Sequence, residues 1–436
     1  MTVGRPLRVL VVGHSAQASG AELALERLLA AVDPARARVR VLLLEHGPLA
    51  ARLAAAGVPV DVLPLDPDAA RTARTAVVGG AGARQALRLV PFVARLARHV
   101  RRQAPDVVVT TTLKSHVLGT PAALLARRPV AWHVHDRVAD DYLPPPVVRA
   151  LRAAARRLPR AVVANSAATA ATLPGARGLV VAYPGFAPGQ ALTAPEQHVE
   201  PAPPVVLLLG RVSPTKGQLE LVRAAARVLR ARPDARFRLV GAPLFGAADY
   251  AAAVDDEIER LGLAGRVVRV PPVDDPAAEL DAATVLVHAS PVPEPFGQVV
   301  VEAVVRGVPV VATDAGGVPE ILAPGAVLGP DDHDDADPGA GTEALGPLGL
   351  LVPPGDVDAL AAAVAEVLAD PAAARRRAAA AHADALRRFP VAVTAAVVTS
   401  AWERAAAGRT AEPPAAPTAG PPTGRAGLRR RRAPRP

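Results

Sequence analysis

Residues 205–228 read VVLLLGRVSPTKGQLELVRAAARV, and this stretch decides the fold class. A short run of aliphatic residues is typical of a β-strand in a parallel sheet, and glycine and proline mark the turn after it. From Gln218 onward, apolar residues recur at helical spacing. A buried strand, a turn and a helix in this order are the repeating unit of a doubly wound α/β domain.

The same alternation of Val/Leu-rich runs and helical Ala/Leu/Arg patterns extends through most of the chain. It predicts strands at 7–12, 39–44, 60–63, 107–111, 130–135, 161–164 and 179–182, and again at 205–209, 236–240, 267–270, 285–288 and 310–312. The stretch between the two series is rich in proline and polar residues, which indicates a linker. After residue 408 almost nothing is available to bury, which is typical of disorder.

The chain is therefore expected to be an α/β protein with two facing, Rossmann-like, doubly wound domains. The boundaries place the first domain at 1–190, a linker at 191–204, the second domain at 205–388, a C-terminal helix that packs back on the first domain at 389–407, and a disordered tail at 408–436. Ligands of such sheets bind outside the carboxyl ends of the strands, so two facing domains create a cleft between two sets of strand ends.

Composition excludes several classes of protein. The 436 residues contain no cysteine, which excludes disulfide frameworks, thiolate metal sites and cysteine nucleophiles. No apolar run reaches the 18 to 20 or so residues that a membrane-spanning helix needs. The first 14 residues lack the pattern of a secretory signal. These observations predict a cytoplasmic protein.

The net charge of +9 is distributed unevenly. Residues 71–160 hold 17 basic and 4 acidic side chains, whereas residues 201–400 hold 17 basic and 26 acidic ones. The last 36 residues contribute +6. This distribution argues against one uniform surface for polyanions, and the chain has no aromatic-rich surface for nucleic acid, so no nucleic-acid partner is expected.

The turn GRVSPTKG, at 210–217, is a candidate phosphate site. Gly210 lets the backbone turn close to a ligand, and the cations of Arg211 and Lys216 could flank a phosphate at the mouth of the sheet. Lysine is rare in this chain: only Lys114 and Lys216 occur among 50 basic residues. The alternative is a solvated turn after a strand.

The second candidate stretch is ASPVPEPFGQVVVEA, at 289–303. Glu294 lies in a proline-rich loop, and Glu302 lies on a helix that is expected to start near Gln298. Carboxylates accept hydrogen bonds from vicinal hydroxyls, so the two glutamates could hold a sugar and a ribose on either side of a diphosphate. The alternatives are two solvent-facing charges, or the acid and nucleophile of a glycosidase.

Three further segments are weaker signals. The turn TDAGGVPE, at 313–320, follows another strand, and the loop GHSAQASGAE, at 13–22, leads through Gly20 into a helix. In HVHD, at 133–136, His135 lies at the carboxyl end of a strand, where it is either a ligand contact or a histidine satisfied by Asp136. Two local imidazoles do not make a zinc site, and the acidic run at 331–335 is expected to be a solvated loop.

In this order, the motifs closely resemble those of the retaining glycosyltransferases of family 4, which have the GT-B architecture. The resemblance covers roughly residues 7–405. It depends most on GRVSPTKG together with EPFGQVVVEAVVRGVPVVATDAGGVPE, where two glutamates stand eight positions apart. The segments SGAE, HVHD, VVANS and GLLVPPGD, which begin at 19, 133, 162 and 349, support it.

The resemblance implies roles for individual residues. Arg211 and Lys216 would bind the donor diphosphate and offset the charge on the leaving group, which allows catalysis without a metal or another cofactor. Glu294 would hold hydroxyls of the transferred hexose, and His135 would contact that hexose near the reacting bond. Glu302 would bind the nucleotide ribose. The remaining donor-site positions are Gly20, Gly210, Phe296, Gly297 and Gln298.

The expected function is thus transfer of a hexose from a nucleotide-sugar, UDP- or GDP-linked, to a glycan, lipid-linked or small-molecule acceptor, with retention of configuration. A sugar-nucleotide epimerase of the same architecture and a noncatalytic sugar-nucleotide-binding protein are the alternatives. Two departures from the family pattern stand out: YPGF at 183–186 in place of an Asn-Gly turn, and the long acidic segment between 322 and 348.

Residues 84–102 predict a basic amphipathic helix. Five arginines, at 84, 88, 95, 98 and 102, fall on one face, and apolar side chains fall on the other. Pro91 is expected to kink this helix. Its apolar face either packs on the first-domain sheet or contacts an anionic membrane at the inner surface, next to a membrane-proximal acceptor.

Overall fold

A computed structural model describes residues 5–17, 19–65, 88–244, 246–273, 275–324 and 347–408. Thirteen named strands lie in these ranges and form two sheets in which every strand pairing is parallel. The α/β class and the two-domain GT-B architecture predicted from the sequence are confirmed.

The first sheet has seven strands: β1 (Leu7–Gly13), β2 (Ala37–Leu43), β3 (Val60–Val62), β4 (Val107–Thr110), β5 (Val130–Val134), β6 (Ala161–Ala164) and β7 (Leu179–Val181). They are ordered β3-β2-β1-β4-β5-β6-β7. Side chains of a strand alternate between the two faces of a sheet. Leu10 and Val12 of β1 accordingly join one buried cluster, and Val9 and Val11 join another. Burial on both faces explains why these strands are continuous aliphatic runs.

Six described helices flank this sheet: α1 (Gly20–Ala30), α2 (Pro48–Ala55), α3 (Val90–Gln103), α4 (Leu113–Leu125), α5 (Pro145–Arg157) and α6 (Ala167–Ala171). The predicted linker at 191–204 contains a short 3-10 turn, Pro195–Gln197, and another, Pro188–Gln190, lies just before it. The linker therefore has local structure that its lack of periodicity did not predict.

The second sheet consists of β8 (Val205–Leu209), β9 (Arg236–Val240), β10 (Val267–Val270), β11 (Val285–His288), β12 (Val310–Thr313) and β13 (Leu350–Val352). Its order is β10-β9-β8-β11-β12-β13. Around it lie α7 (Gln218–Ala231), α8 (Ala248–Arg260), α9 (Pro276–Asp281), α10 (Gln298–Val304), α11 (Pro319–Leu322), α12 (Val357–Ala369) and α13 (Pro371–Arg388). The edge strand β13 was not predicted, because three residues after a long polar segment give little strand signal.

The strand order of each sheet reverses at one point, between β1 and β4 in the first sheet and between β8 and β11 in the second. Ligands of open α/β sheets bind at such a switch point, outside the carboxyl ends of the strands. GRVSPTKG follows β8, and the loop that carries Glu294 follows β11. The two most informative motifs of the sequence therefore lie side by side at the switch point of the second sheet.

The last helix, α14 (Val391–Ala407), returns to the first domain. Its Trp402 is fully buried in the same cluster as Val9 and Val11 of β1. Arg36 joins this helix at its surface by hydrogen bonds to Ser400 and Glu403. The chain thus returns from the second domain to the first, and its last described helix packs there.

The amphipathic helix differs from its prediction in shape and in surroundings. Helix α3 begins at Val90 with Pro91 in its first turn, so the proline starts the helix and does not kink it. The apolar side chains of Phe92, Leu96 and Val100 are buried in the first-domain core, which favours packing on the sheet over insertion of this face into a membrane. Arg88 precedes the helix, and Arg84 lies outside the described residues.

Two other predictions also fall outside the described ranges: the tail after Gly408 and the acidic run at 331–335. Helices α12 and α13 are separated at Asp370, whose carboxylate caps α13 by accepting a hydrogen bond from the amide of Ala373. In the ranges that the structure describes, no helix combines the length and the apolar character needed to cross a membrane.

Candidate active site

The two loops at the switch point of the second sheet meet through Lys216 and Glu294. Nζ of Lys216 donates a hydrogen bond to Oε1 of Glu294 at 2.5 Å. Their side chains retain only 21% and 17% of their exposure, respectively. Glu294 is therefore not the isolated loop charge considered above, and Lys216 does not lie in a freely solvated turn.

Close backbone contact holds these loops in register. Gly217 has φ +76°, and a Cβ atom at this position would lie 1.9 Å from the carbonyl oxygen of Ala289. Gln218 is buried and donates from Nε2 to the carbonyl oxygen of Arg211 at 2.9 Å. Ser290 donates from Oγ to the carbonyl oxygen of Thr215 at 2.7 Å. The glycine and the two polar side chains thus lock GRVSPTKG against the loop after β11.

The glycine turn after β12 supports Glu294 from the other side. The amide of Gly317 donates to the carbonyl oxygen of Glu294 at 2.9 Å. Gly316 has φ +67°, and a Cβ atom there would lie 1.9 Å from the same oxygen. The backbone of Glu294 is consequently fixed by a turn that only glycine fits, which gives a physical reason for the GG of TDAGGVPE.

The electrostatic surroundings of Glu294 keep its carboxylate ionised. Burial alone would raise its pKa, but the Lys216 ammonium and the His288 imidazole together hold that pKa well below its usual range. Nε2 of His288 lies 3.1 Å from Oε2 of Glu294, and its Nδ1 lies 3.3 Å from Oγ1 of Thr313. Both carboxylate oxygens thus have protein partners before any ligand is considered.

The other glutamate of the pair, Glu302, lies on α10 together with Gln298. Arg27 from α1 of the first domain reaches both of them: Nη2 donates to Oε1 of Gln298 at 2.9 Å, and Nη1 lies 3.4 Å from Oε1 of Glu302. Burial raises the pKa of Glu302, and Arg27 opposes this shift. Glu302 is therefore a paired residue at the domain interface and not a solvent-facing helix charge.

Phe296 and Gly297 shape the entry to α10. The Phe296 ring is buried and lies 5.6 Å from the Tyr183 ring and 5.8 Å from the Phe389 ring, between centroids. Gly297 forms the N-cap of α10 with φ +101°. The aromatic side chain thus anchors the loop in the core, so any contribution of Phe296 to ligand binding would come from its backbone.

Arg211 faces acidic groups of the first domain. Burial raises the pKa values of Glu22 and Asp136. The positive charge of Arg211 acts on both carboxyl groups and partly offsets this rise. Tyr142 donates from its hydroxyl to Oδ1 of Asp136 at 3.3 Å. The cationic loop of the second domain and the strand ends of the first therefore share one electrostatic environment.

His135 is buried, and neither of its ring nitrogens has a hydrogen-bond partner among the described residues. Its ring lies 4.3 Å from that of His133, because both side chains point to the same face at the end of β5. Burial lowers the pKa of His135 to about 4, so the imidazole is neutral at pH 7. The alternative of a histidine satisfied by Asp136 is therefore wrong, and two polar atoms remain for a ligand.

The two remaining glycines of the predicted donor site have open surroundings. A Cβ atom on Gly20 or Gly210 would meet no atom within 4 Å. Gly20 is the first residue of α1 and is exposed. Neither glycine is required by a close contact within the protein, so the predicted approach of a ligand to them stays a prediction.

A second contact joins the domains behind the site. The carboxylate of Glu320, at the end of TDAGGVPE, accepts hydrogen bonds from the amides of Ala167 and Ala168 at 2.8 and 2.7 Å. Ser166 and Thr169 donate from their hydroxyls to the carbonyl oxygen of Pro295 at 2.5 and 3.3 Å. VVANS and GGVPE thus meet across the domain boundary, directly beside the loop that carries Glu294.

Sequence reasoning missed Arg27 and His288, and it noted Glu320 only as the end of TDAGGVPE without its contact to the first domain. His288 could have been found, because it is the last residue of a strand that points at the site. Arg27 and Glu320 carry no such signal, since their roles depend on contacts 271 and 153 positions away along the chain.

Both domains of the chain match known families and solved structures. The family model described as Glycosyltransferase Family 4 matches residues 48–188, and the one described as Glycosyl transferases group 1 matches residues 193–384. Anabaena HepE, solved in complex with UDP and glucose, is 29% identical, with a TM-score of 0.73 over 90% of this chain and 98% of HepE. The same protein in complex with UDP-glucose gives 28% identity and a TM-score of 0.73.

Curated relatives include D-inositol 3-phosphate glycosyltransferases. The one from Nocardia farcinica is 31% identical over 60% of this chain, and the one from Kineococcus radiotolerans is 34% identical over 52%. The matches span 63% and 50% of the lengths of these two relatives. The two family models cover the two domains in turn, and the HepE fold covers both, so the chain belongs to the family 4 glycosyltransferases of GT-B architecture.

Proposed function

We propose that this protein is a retaining, metal-independent hexosyltransferase that uses a nucleotide-sugar donor. The observation that carries the proposal is the contact of Lys216 with Glu294 at the switch point of the second sheet. A cation that would bind a phosphate and a carboxylate that would bind sugar hydroxyls lie next to each other there. A sugar-diphosphate linkage needs this combination, because its charge and its hydroxyls are adjacent.

In this proposal, Lys216 and Arg211 bind the donor diphosphate and stabilise the negative charge that develops on it as the glycosidic bond breaks. Glu294, held ionised by its partners, accepts hydrogen bonds from the transferred hexose. The backbone around Gly210 and Gly297 lies against the donor, and Gly20 lies at its first-domain side. We assign no covalent nucleophile, and retention of configuration is inferred from the family.

His135 and Glu302 complete the donor site from two directions. His135 has two buried ring nitrogens without a partner among the residues that the structure describes, and it is neutral, so it can donate from one nitrogen and accept at the other. A hydroxyl of the hexose would satisfy it. Glu302, which lies one helical turn after Gln298 on α10, would accept hydrogen bonds from the ribose hydroxyls.

The relatives narrow the substrates. HepE binds UDP and UDP-glucose, which favours a UDP-hexose over a GDP-hexose as the donor. The names of the curated relatives favour a small phosphorylated polyol as the acceptor over a glycan or a lipid-linked sugar. Each of these acceptor classes would approach along the first-domain strand ends, where Glu22, Asp136 and Tyr142 face Arg211.

A donor and acceptor panel separates this function from the alternatives. UDP- and GDP-hexoses are incubated with and without phosphorylated polyols, and free nucleotide is measured. A transferase releases nucleotide in an acceptor-dependent manner. An epimerase would convert the donor without any acceptor, and a noncatalytic sensor would bind the donor without turnover, so either result would contradict the proposal.

We further propose that the first domain contacts anionic membranes at the inner, cytoplasmic surface. Arg88, Arg98, Arg101 and Arg102 are exposed, and no acidic residue lies between 88 and 103. Because the apolar face of α3 is buried, the contact would be electrostatic. Co-sedimentation should favour anionic over neutral vesicles and weaken in an Arg98→Gln/Arg102→Gln variant. Equal recovery with both kinds of vesicle would contradict it.

A further inference from the structure

Arg27 is the one basic residue of α1, and its guanidinium contacts residues outside that helix. Nε donates to the carbonyl oxygen of Gly185, in the segment that leaves the first sheet, at 3.2 Å. Nη2 and Nη1 reach Gln298 and Glu302 of the second domain. Gln298 and Glu302 are four positions apart and therefore share one face of α10. A single side chain thus ties the first domain to the helix that carries the predicted ribose ligand.

The contact between Arg27 and Glu302 is largely buried. The side chains of Arg27 and Glu302 are only 15% and 23% exposed. A buried charge without a partner is costly, so these groups satisfy each other only while the domains are closed on one another. Separation of the domains would return both charges to water. The contact between Arg27 and Glu302 therefore stabilises only the arrangement in which the two domains are closed on one another.

Glu302 itself is held in a defined orientation. Arg27 approaches Oε1 of Glu302, and the same guanidinium donates to Oε1 of Gln298, the first residue of α10. A ribose hydroxyl that donates to Oε2 would engage a carboxylate already oriented by the first domain. Ribose binding and domain closure would then favour each other, because each is stronger when the other is present.

We propose that Arg27 is a positioning residue that couples closure of the first domain to occupation of the ribose site on Glu302. This inference rests on the proposed donor site and adds to it a residue from the opposite domain. Arg27 touches neither the hexose nor the diphosphate in this account. Its effect on transfer is exerted through Glu302 and through the position of the first domain.

The neighbouring pair of Arg52 and Glu26 offers a matched control. Nε of Arg52 donates to Glu26 of α1 at 2.7 Å, so it is also an arginine bound to a carboxylate in this part of the first domain. It differs in being half exposed and in joining two helices of the same domain. Replacing Arg52 removes a cation beside α1 whose hydrogen bonds both go to Glu26 of its own domain.

The test uses the full chain and the variants Arg27→Gln, Arg27→Lys and Arg52→Gln. UDP affinity is measured by calorimetry, domain closure by small-angle X-ray scattering with and without UDP, and folding by thermal unfolding. We expect Arg27→Gln to unfold cooperatively, to bind UDP about tenfold more weakly and to remain extended when UDP is added, in line with typical coupling between sites. Arg27→Lys should recover part of the affinity, and Arg52→Gln should match the wild type.

Steady-state kinetics adds a readout that a purely structural role would not move. Arg27→Gln should raise the donor KM more than it lowers kcat, and combining it with Glu302→Gln should cost less than the two single effects together. Wild-type UDP affinity and wild-type compaction in Arg27→Gln would overturn the inference. So would full additivity with Glu302→Gln.

The two proposals can fail separately. If the wild-type chain binds neither UDP nor GDP, the proposed donor site is wrong, and closure is judged from ligand-free scattering alone. A more extended Arg27→Gln variant would then support Arg27 as a residue that closes the domains. An unchanged scattering profile would overturn it.

Discussion

Nζ of Lys216 lies 2.5 Å from Oε1 of Glu294, although 78 positions separate the two residues. Buried ion pairs contribute little net stability, because removing two charges from water offsets their attraction. Breaking such a pair by removing one partner is nevertheless costly. The proposed donor, which both groups would bind, accounts for a pair of this kind at the mouth of a sheet.

Replacement of Lys216 tests the cationic side of the site. Lys216→Met removes a charge from the donor diphosphate and leaves Glu294 without its main counter-ion, so we expect kcat to fall by about 10²- to 10³-fold. Lys216→Arg should retain part of the activity. Arg223→Gln, which breaks a surface pair with Glu257 on the same domain, is the control. Unchanged transfer in Lys216→Met would remove this residue from the site.

The glycine turns that hold Glu294 make a prediction about stability. In Gly217→Ala and Gly316→Ala, the new methyl group would collide with a carbonyl oxygen at 1.9 Å and would require a left-handed backbone. We expect each variant to lose about 1–3 kcal/mol of unfolding free energy and to lose donor binding. Gly189→Ala, where a Cβ atom meets nothing within 4 Å, serves as the control. Urea unfolding that shows equal stability for all three would contradict the described packing.

The contact of Glu320 with α6 joins the two domains, so we expect its removal to lower the free energy of unfolding. Glu320→Ala leaves the partly buried amides of Ala167 and Ala168 without their acceptor, which should cost about 1–3 kcal/mol. Glu320→Gln keeps one acceptor oxygen and should lose less. The exposed Glu259→Gln should have no effect. Denaturant titrations measure all three, and a fully stable Glu320→Ala variant would show that the contact does not hold the interface.

Buried histidines predict the acid dependence of folding. Burial lowers the pKa of His116 to about 3 and those of His14 and His135 to about 4, and it lowers the pKa of His133 as well. The unfolded chain takes up these protons near pH 6.5 and the folded chain does not. Stability from these groups is therefore complete above pH 6.5 and is lost as pH falls towards 4, by up to about 1.4 kcal/mol per pH unit for each histidine.

Measurement of unfolding free energy at several pH values between 7 and 4.5 checks this prediction. His116→Leu keeps an uncharged side chain against Trp132, on which His116 stacks, and should reduce the slope by about one proton. A flat profile in the wild type, or an unchanged slope in the variant, would mean that these histidines are not buried in their neutral form.

Much of the fold was predictable because the spacing of apolar residues along the chain distinguishes strands from helices. Twelve predicted strands correspond to β1 through β12, with ends that differ by at most two residues. The edge strand β13 was missed, because Leu350–Val352 is short and only Val352 is buried. The kink expected at Pro91 is absent, because Pro91 lies in the first turn of the helix. Its position in the helix depends on where the helix begins, and helix ends are poorly defined by sequence.

The candidate site was predictable only as far as its residues lie beside strand ends. Lys216 and Glu294 both follow strands, so their proximity follows from the topology of a parallel sheet. The contacts of Arg27 with Glu302 and of Glu320 with α6 depend on how two domains meet, which no local pattern encodes. The +9 net charge pointed instead to the first domain and the tail, away from the two motifs that carry the chemistry.

Binding of UDP-glucose to the wild type and to Glu294→Ala, followed by saturation-transfer NMR, tests the donor site most directly. The account predicts saturation of uridine and glucose protons in the wild type, with loss of the glucose signals and retention of the uridine signals in Glu294→Ala. Absence of binding to the wild type, or glucose signals of equal strength in both proteins, would contradict it.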